Sequence, residues 1–183
     1  MTLPERLLAL HAALDRRRIP HAFGGAIALA YRTLDPRGTS DIDVNVFVPA
    51  ADAQRVLEAL PSGVAHEPGS LAAIARDGQT RVWWDETPLD LFFNSLPVHD
   101  DAARNREFVP FEGQRIPVLG PIELAVFKVM FDRTRDWADI EAMLAAGALD
   151  VEAVRRALAT LLDSGDPRFH RLAETVRRVG PAD

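Results

Sequence analysis

The segment Asp41-Ile42-Asp43-Val44-Asn45-Val46-Phe47-Val48 alternates polar and apolar residues with period two, the pattern of a half-buried strand. It also carries two aspartates, a residue type that strands disfavour. Residues i and i+2 of a strand share a face and lie about 6.7 Å apart. From that spacing two carboxylates can converge on cations of the kind that sit roughly 3.5–4 Å apart in two-metal sites. Oxygen ligands of this type suit magnesium. Upstream, a short extended stretch, His21-Ala22-Phe23, runs into Gly24-Gly25, and a small-residue helix is expected from Ala26 to Tyr31. A Gly-Gly turn that opens a helix lets backbone N–H groups approach an anion with no side chain in the way. Thr39 and Ser40 are placed to hydrogen-bond a phosphate, and Arg37 to neutralise part of its charge. Taken singly, Gly24-Gly25 is a plain turn and Asp41/Asp43 the polar face of an edge strand. It is their combination that points to adjoining anion and cation sites.

Composition narrows the chemistry further. The 183 residues contain no cysteine, which removes disulfides, thiolate catalysis and zinc–cysteine sites and leaves carboxylates, histidines, lysine and hydroxyls. The formal net charge of −6 argues against a protein that coats nucleic acid, although a local basic patch is compatible with it. No apolar run reaches the length of a membrane span, and the opening Met1-Thr2-Leu3-Pro4-Glu5-Arg6 lacks the regions of a signal peptide. A soluble cytoplasmic protein with no membrane partner is the expectation.

Along the chain, Leu3 to Arg18 reads as an amphipathic helix whose Arg16-Arg17-Arg18 end suits the helix dipole. Ala51 to Leu60 is a second such helix, and Leu71 to Arg76 is left unassigned. Thr80 to Trp84 and Pro88 to Phe93 form two strands around a tight turn. Phe108 to Phe111 and Gln114 to Leu119 form another hairpin, turning at Glu112-Gly113. From Pro121 the signal becomes helical: Pro121 to Asp132, Trp137 to Ala146, Val151 to Asp163 and Arg168 to Val179. The predicted organisation is an α/β core over residues 1–120 with a helical C-terminal subdomain over 121–183.

The pattern Gly24-Gly25, then Asp41-Ile42-Asp43, with a later strand carboxylate at Asp90, resembles the nucleotidyltransferase superfamily. Within it, Arg37, Thr39, Asp41 and Asp43 resemble the Arg-x-Thr/Ser-x-Asp-hydrophobic-Asp pattern of AbiEii-type toxins. Lys128 followed by Arg135-Asp136-Trp137-Ala138-Asp139 resembles that family's lysine helix and its Lys/Arg-Asp-x-x-Asp segment. The resemblance implies a mixed sheet with packed helices and a helical C-terminal subdomain. It implies magnesium bound by Asp41 and Asp43 with Asp90 as third ligand, a nucleoside triphosphate as substrate, and phosphates positioned by Gly24, Gly25, Arg37, Thr39 and Ser40. Catalytic roles for Lys128, Asp136 and Asp139 follow from it, as do a tRNA or other RNA acceptor and a cognate antitoxin protein. Transfer to a partner protein or a drug, or a non-catalytic nucleotide-binding module, are the alternatives.

Several residues carry two readings. Asp90 is a metal ligand or an exposed strand carboxylate. Lys128 lies on the apolar face of its helix, as a cation aimed at a triphosphate or an ammonium snorkelling to solvent. Asp136 and Asp139 share a helix face, and Asp136 suits a cap as well. The five histidines show no ligand spacing, and Trp83, Trp84 and Trp137 are assigned to the core or the joint between sheet and helices. Arg155, Arg156, Arg168, Arg171, Arg177 and Arg178 form a solvated helix surface or a contact for RNA phosphates.

Overall fold

The computed structural model describes residues 1–33 and 38–180. Arg37 therefore lies outside the described residues. Helix α1 (Leu3–Arg16) starts at a capping box, in which the Thr2 hydroxyl accepts the Glu5 amide and the Glu5 carboxylate accepts the Thr2 amide at 2.8 Å. Two N–H groups that a helix start leaves unpaired are thereby satisfied. Leu7, Leu10, Ala13 and Leu14 form its buried stripe. The chain continues through β1 (His21–Phe23), α2 (Gly25–Ala30), β2 (Ile42–Pro49), a 3-10 turn over Ala50–Asp52, α3 (Ala53–Ala59), β3 (Val64–Ala65), α4 (Ser70–Asp77), β4 (Gln79–Trp84) and β5 (Thr87–Asn94). It ends with α5 (Pro97–Asn105), β6 (Glu107–Phe111), β7 (Gln114–Val118), α6 (Pro121–Phe131), α7 (Thr134–Ala145), α8 (Val151–Leu158) and α9 (Pro167–Val179).

The strands form one mixed sheet in the order β3-β4-β5-β2-β1-β7-β6. β2 is antiparallel to β1 and parallel to β5, β1 is parallel to β7, and the β3/β4, β4/β5 and β6/β7 pairs are antiparallel. The α/β class with helices packed on a mixed sheet matches the sequence expectation. Leu124, Ala125, Val126 and Val129 of α6 belong to the same buried cluster as Ile42, Val44 and Leu91 of the sheet. Phe131 of α6 meets Phe92 of β5, the strand that carries Asp90, with ring centroids 5.6 Å apart. No described helix is long and apolar enough to cross a membrane.

Three expectations need correction. β2 is not half-buried: it sits inside the sheet and is covered on both faces from Val44 to Val48, with Asn45 only 4% exposed. The edge-strand reading of Asp41/Asp43 falls with it. Trp84 and Trp137 are buried, but Trp83 is 43% exposed, because β4 turns Gln79, Arg81 and Trp83 to the open face. A further helix, α5, occupies Pro97–Asn105, where its mostly polar sequence gives little apolar periodicity beyond Val98, His99 and Ala102. The stretch left unassigned is also helical, as α4.

Candidate active site

Strand register assembles the centre of the site. β2 and β5 run parallel with Asp43 beside Asp90, and β5 and β4 run antiparallel with Asp90 opposite Arg81. One row across three strands therefore reads Asp43–Asp90–Arg81, and the next on the same face reads Asn45–Phe92–Gln79. Asp43 lies against the Gly24-Gly25 turn: the Gly24 amide donates to the Asp43 carbonyl at 2.9 Å. A Cβ added to Gly25 would stand 1.7 Å from Asp43 Oδ2, and Gly25 has φ +50. Only glycine leaves room there for the carboxylate while tolerating that backbone conformation. The structural need for Gly25 is thus a close approach of Asp43.

The carboxylates repel one another. Burial pushes the Asp43 carboxyl up from 3.8 to about 6, and the charges of Asp41 and Asp90 push in the same direction. Lys128 and Arg133 pull against that shift. Asp41 has its own partner: Thr39 Oγ1 donates to the Asp41 carboxylate and lies 3.2 Å from its carbonyl. The Thr39 hydroxyl therefore braces Asp41, while Ser40 is exposed. Asp90 is gripped by Arg81, with Nε–Oδ1 and Nη2–Oδ2 both at 2.7 Å.

The C-terminal helices supply the opposite wall. Lys128 on α6 is 6% exposed and does not snorkel: its Nζ donates to Asp139 Oδ2 at 2.5 Å and lies 3.8 Å from Asp136 Oδ1. Asp136 and Asp139, both on α7, are themselves buried. Asp136 also accepts the Arg133 guanidinium at 2.7 Å and reaches back to the Arg133 amide at 3.3 Å, so it acts both as cap and as ion-pair partner. Asp136 and Asp139 therefore act on Lys128 and Arg133. A cavity of about 270 Å³ connects Gly25, Asp43, Lys128, Arg133 and Asp136 to an apolar chamber lined by Phe92, Phe127, Met130 and Phe131. A second groove leaves Asp43 along Asp90, Arg81, Thr80 and Asp77.

Of the residues singled out in the sequence, Gly24, Gly25, Asp41, Asp43 and Asp90 meet at one end of the sheet; Lys128 and Asp136 line the cavity with Asp43, and Asp139 is buried against the Lys128 ammonium. Sequence reasoning missed Arg81, Arg133, Phe92 and Phe131. The Arg81–Asp90 pair could have been found by counting back from the tight turn, since Trp84 faces Thr87. Among the described residues no three His, Cys, Asp or Glu side chains are gathered closely enough to hold an ion. The Asp41 and Asp90 carboxylates point instead to Thr39 and Arg81. The donor set nevertheless fits a hard cation. Five carboxylates (Asp41, Asp43, Asp90, Asp136 and Asp139) face three cationic side chains, and the excess negative charge falls on the sheet side, where hard oxygen donors lie. His11 and His21 lie apart from it, paired with each other at 2.9 Å.

No protein-family model matches the chain, and no curated protein matches it. Solved structures do. The solution structure of the antibiotic-resistance factor ANT(2'')-Ia superimposes with a TM-score of 0.60 at 15% identity, covering 96% of this chain and 97% of that one. A crystal structure of an antigenic nucleotidyltransferase-like protein from Paracoccidioides brasiliensis gives 0.56 at 16% identity, covering 99% and 94%. The crystal structure of ANT(2'')-Ia in complex with adenylyl-2''-tobramycin gives 0.53 at 15% identity, covering 98% and 100%. At such identities the likeness concerns the fold. This chain has a nucleotidyltransferase-like fold over nearly its whole length.

Proposed function

We propose that the chain is a divalent-cation-dependent nucleotidyltransferase that moves a nucleoside monophosphate from a nucleoside triphosphate to an acceptor hydroxyl, with release of pyrophosphate. One observation carries the reading. An aspartate on a central strand is held against a glycine where no side chain fits, and burial, with the charges of two further carboxylates adding to it, raises its carboxyl to about 6. A structural strand has no use for three mutually repelling acids, whereas a hard cation relieves them.

In this reading Asp41, Asp43 and Asp90 would hold magnesium, which would supply charge neutralisation for the triphosphate and acidify the attacking hydroxyl. The acceptor oxygen bonds to the α-phosphorus as the bond to the pyrophosphate oxygen breaks, and the hydroxyl proton passes to a carboxylate of the cluster. Lys128 and Arg133, lining the same cavity as Asp43, offset charge on the departing phosphates. Asp139 and Asp136 fix the Lys128 ammonium in place. The Gly25 backbone, Ser40 and Arg37 are assigned to the phosphates, whereas the Gly24 amide and the Thr39 hydroxyl are engaged by Asp43 and Asp41.

The acceptor has two readings. The AbiEii-type pattern over Arg37 to Asp43 and Lys128 to Asp139 favours RNA, the tRNA acceptor end in particular, in a toxin paired with an antitoxin protein. A second reading, transfer to a small hydroxylated molecule such as an aminoglycoside, is favoured by the C-terminal arginines. Arg155, Arg168, Arg171 and Arg178 are each paired with a carboxylate, which lowers the positive charge offered to an RNA backbone and leaves Arg156 and Arg177, among the described residues, as the arginines of that set outside an ion pair. Incubating the protein with each α-labelled NTP, magnesium and, in turn, total tRNA, the product of the adjacent gene, or aminoglycosides identifies the acceptor by which one takes up label. Absence of label on every acceptor would favour a non-catalytic nucleotide-binding module.

A further inference from the structure

Of the three carboxylates at the sheet end, Asp90 already carries a cation. Arg81 stands directly opposite it in the β4/β5 ladder and meets both oxygens in a two-pronged contact, each prong at 2.7 Å. Asp43 flanks Asp90 from the other side, in the parallel β2/β5 ladder. The guanidinium senses all three acids: Asp90 raises its pKa most, and Asp41 and Asp43 add to the effect. Asp90 is its hydrogen-bond acceptor among the described residues, and the Arg81 side chain is 52% exposed against 20% for Asp90. An ion pair this open is held weakly and is screened by salt. The geometry is therefore strong in direction and weak in depth, as befits a contact that is exchanged.

We propose that Arg81 is an internal counter-ion that stands in for a divalent cation at Asp90, and that cation loading proceeds by displacing it. The inference rests on the nucleotidyltransferase reading of the site. A two-pronged guanidinium occupies the inner in-plane lone pair of each carboxylate oxygen, the pair of sites that a chelated metal ion uses. A cation that Asp90 chelates through both oxygens must break this contact, so its apparent affinity falls in proportion to the time Asp90 spends paired. Displacement turns the guanidinium toward the groove it lines with Thr80 and Arg133. Arg81 is a positioning residue in this account, because it acts through Asp90.

Direct Mn2+ titration without nucleotide, by calorimetry or by the spin-resonance signal of free Mn2+, tests the proposal on the full chain. Arg81→Gln is expected to bind Mn2+ about three- to fivefold more tightly than the unaltered protein. Arg81→Lys, which keeps the charge but cannot engage both oxygens, should fall between them. In an Asp90→Asn background the gain from Arg81→Gln should vanish, and 0.5 M salt should narrow it. Equal or weaker Mn2+ binding by Arg81→Gln overturns the proposal, as does a gain that persists without the Asp90 carboxylate. A merely structural cross-strand pair would lower the melting temperature of Arg81→Gln and leave Mn2+ affinity unmoved. Mn2+ binding by the unaltered protein that Asp43→Asn abolishes would leave the nucleotidyltransferase reading standing even if the Arg81 result were negative. Failure of every form to bind Mn2+ would overturn both.

Discussion

Replacing Asp43 by Asn should stabilise the cation-free protein at neutral pH. The Asp43 carboxyl sits at about 6 rather than 3.8, because of burial and the charges of Asp41 and Asp90. A group whose folded pKa is raised binds more protons in the folded state, so its contribution is fully present below about 4 and is lost as pH rises through about 6. At pH 7 the ionised carboxylate costs about 3 kcal/mol, and partial exposure of the group reduces this to about 2. Asp43→Asn removes the charge and keeps the shape, so it should unfold about 4–8 °C higher at pH 7. Near pH 4 the difference should close, because Asp43 is then protonated. Millimolar magnesium should also close it, by stabilising only the protein that retains the carboxylate. Urea or thermal unfolding at pH 4, 5.5 and 7, with and without magnesium, measures all three effects. An Asp43→Asn protein no more stable at pH 7, or a gap independent of pH, would refute the electrostatic account of the cluster.

Gly25→Ala brings a methyl group to 1.7 Å from Asp43 Oδ2 at a positive φ. Denaturant titration should show a loss of about 2 kcal/mol, and Mn2+ titration should show weakened binding. Lys128→Met leaves Asp139 and Asp136 buried beside an apolar chain end. It should cost about 3–5 kcal/mol, whereas the double variant Lys128→Met/Asp139→Leu should recover part of that loss in the same urea titration. Burial pushes His21 down from 6.5 to about 4, with the nearby charges of His11 and Arg106 adding to that and the Ile19 carbonyl opposing it. A depressed histidine stabilises the fold above its ordinary pKa, and that contribution is lost as pH falls through the window from 6.5 towards 4. The His21 contribution should therefore fall by about 2 kcal/mol between pH 7 and 5, partly offset by protonation of Asp43, and the difference in stability between the unaltered protein and His21→Asn should follow that fall.

Local patterns in the sequence are enough to place most of the strands, because a hairpin is marked by its turn and a strand by its alternation. Asp41, Asp43 and the two glycines fall within one short stretch of chain, so their proximity is legible before any fold is known. Asp90 is legible as an acid among apolar strand residues, but its neighbour across each ladder depends on register. Arg81 could be reached through the hairpin count, whereas the parallel pairing of Asp43 with Asp90 joins strands that only the fold brings together. Lys128 stands out by its apolar helix face, yet its partners Asp139 and Asp136 depend on how α6 packs on α7. The alternation of β2 suggested one wet face because it cannot reveal that β1 and β5 flank the strand and helices cover it. Trp83 and Trp84 are identical in type and opposite in exposure, since adjacent residues of a strand point to opposite faces.

Transfer of label from the α-phosphate distinguishes nucleotidyl transfer from every other use of a bound triphosphate. The protein is incubated with magnesium, an acceptor that proves competent and, in parallel, α-labelled or γ-labelled NTP. The account predicts that the acceptor takes label from the α position only, that pyrophosphate appears in equal amount, and that Asp41→Ala and Asp43→Ala each reduce transfer by at least a hundredfold, about 2.7 kcal/mol in the barrier. Full transfer by either alanine variant, or label arriving from the γ position, would contradict it.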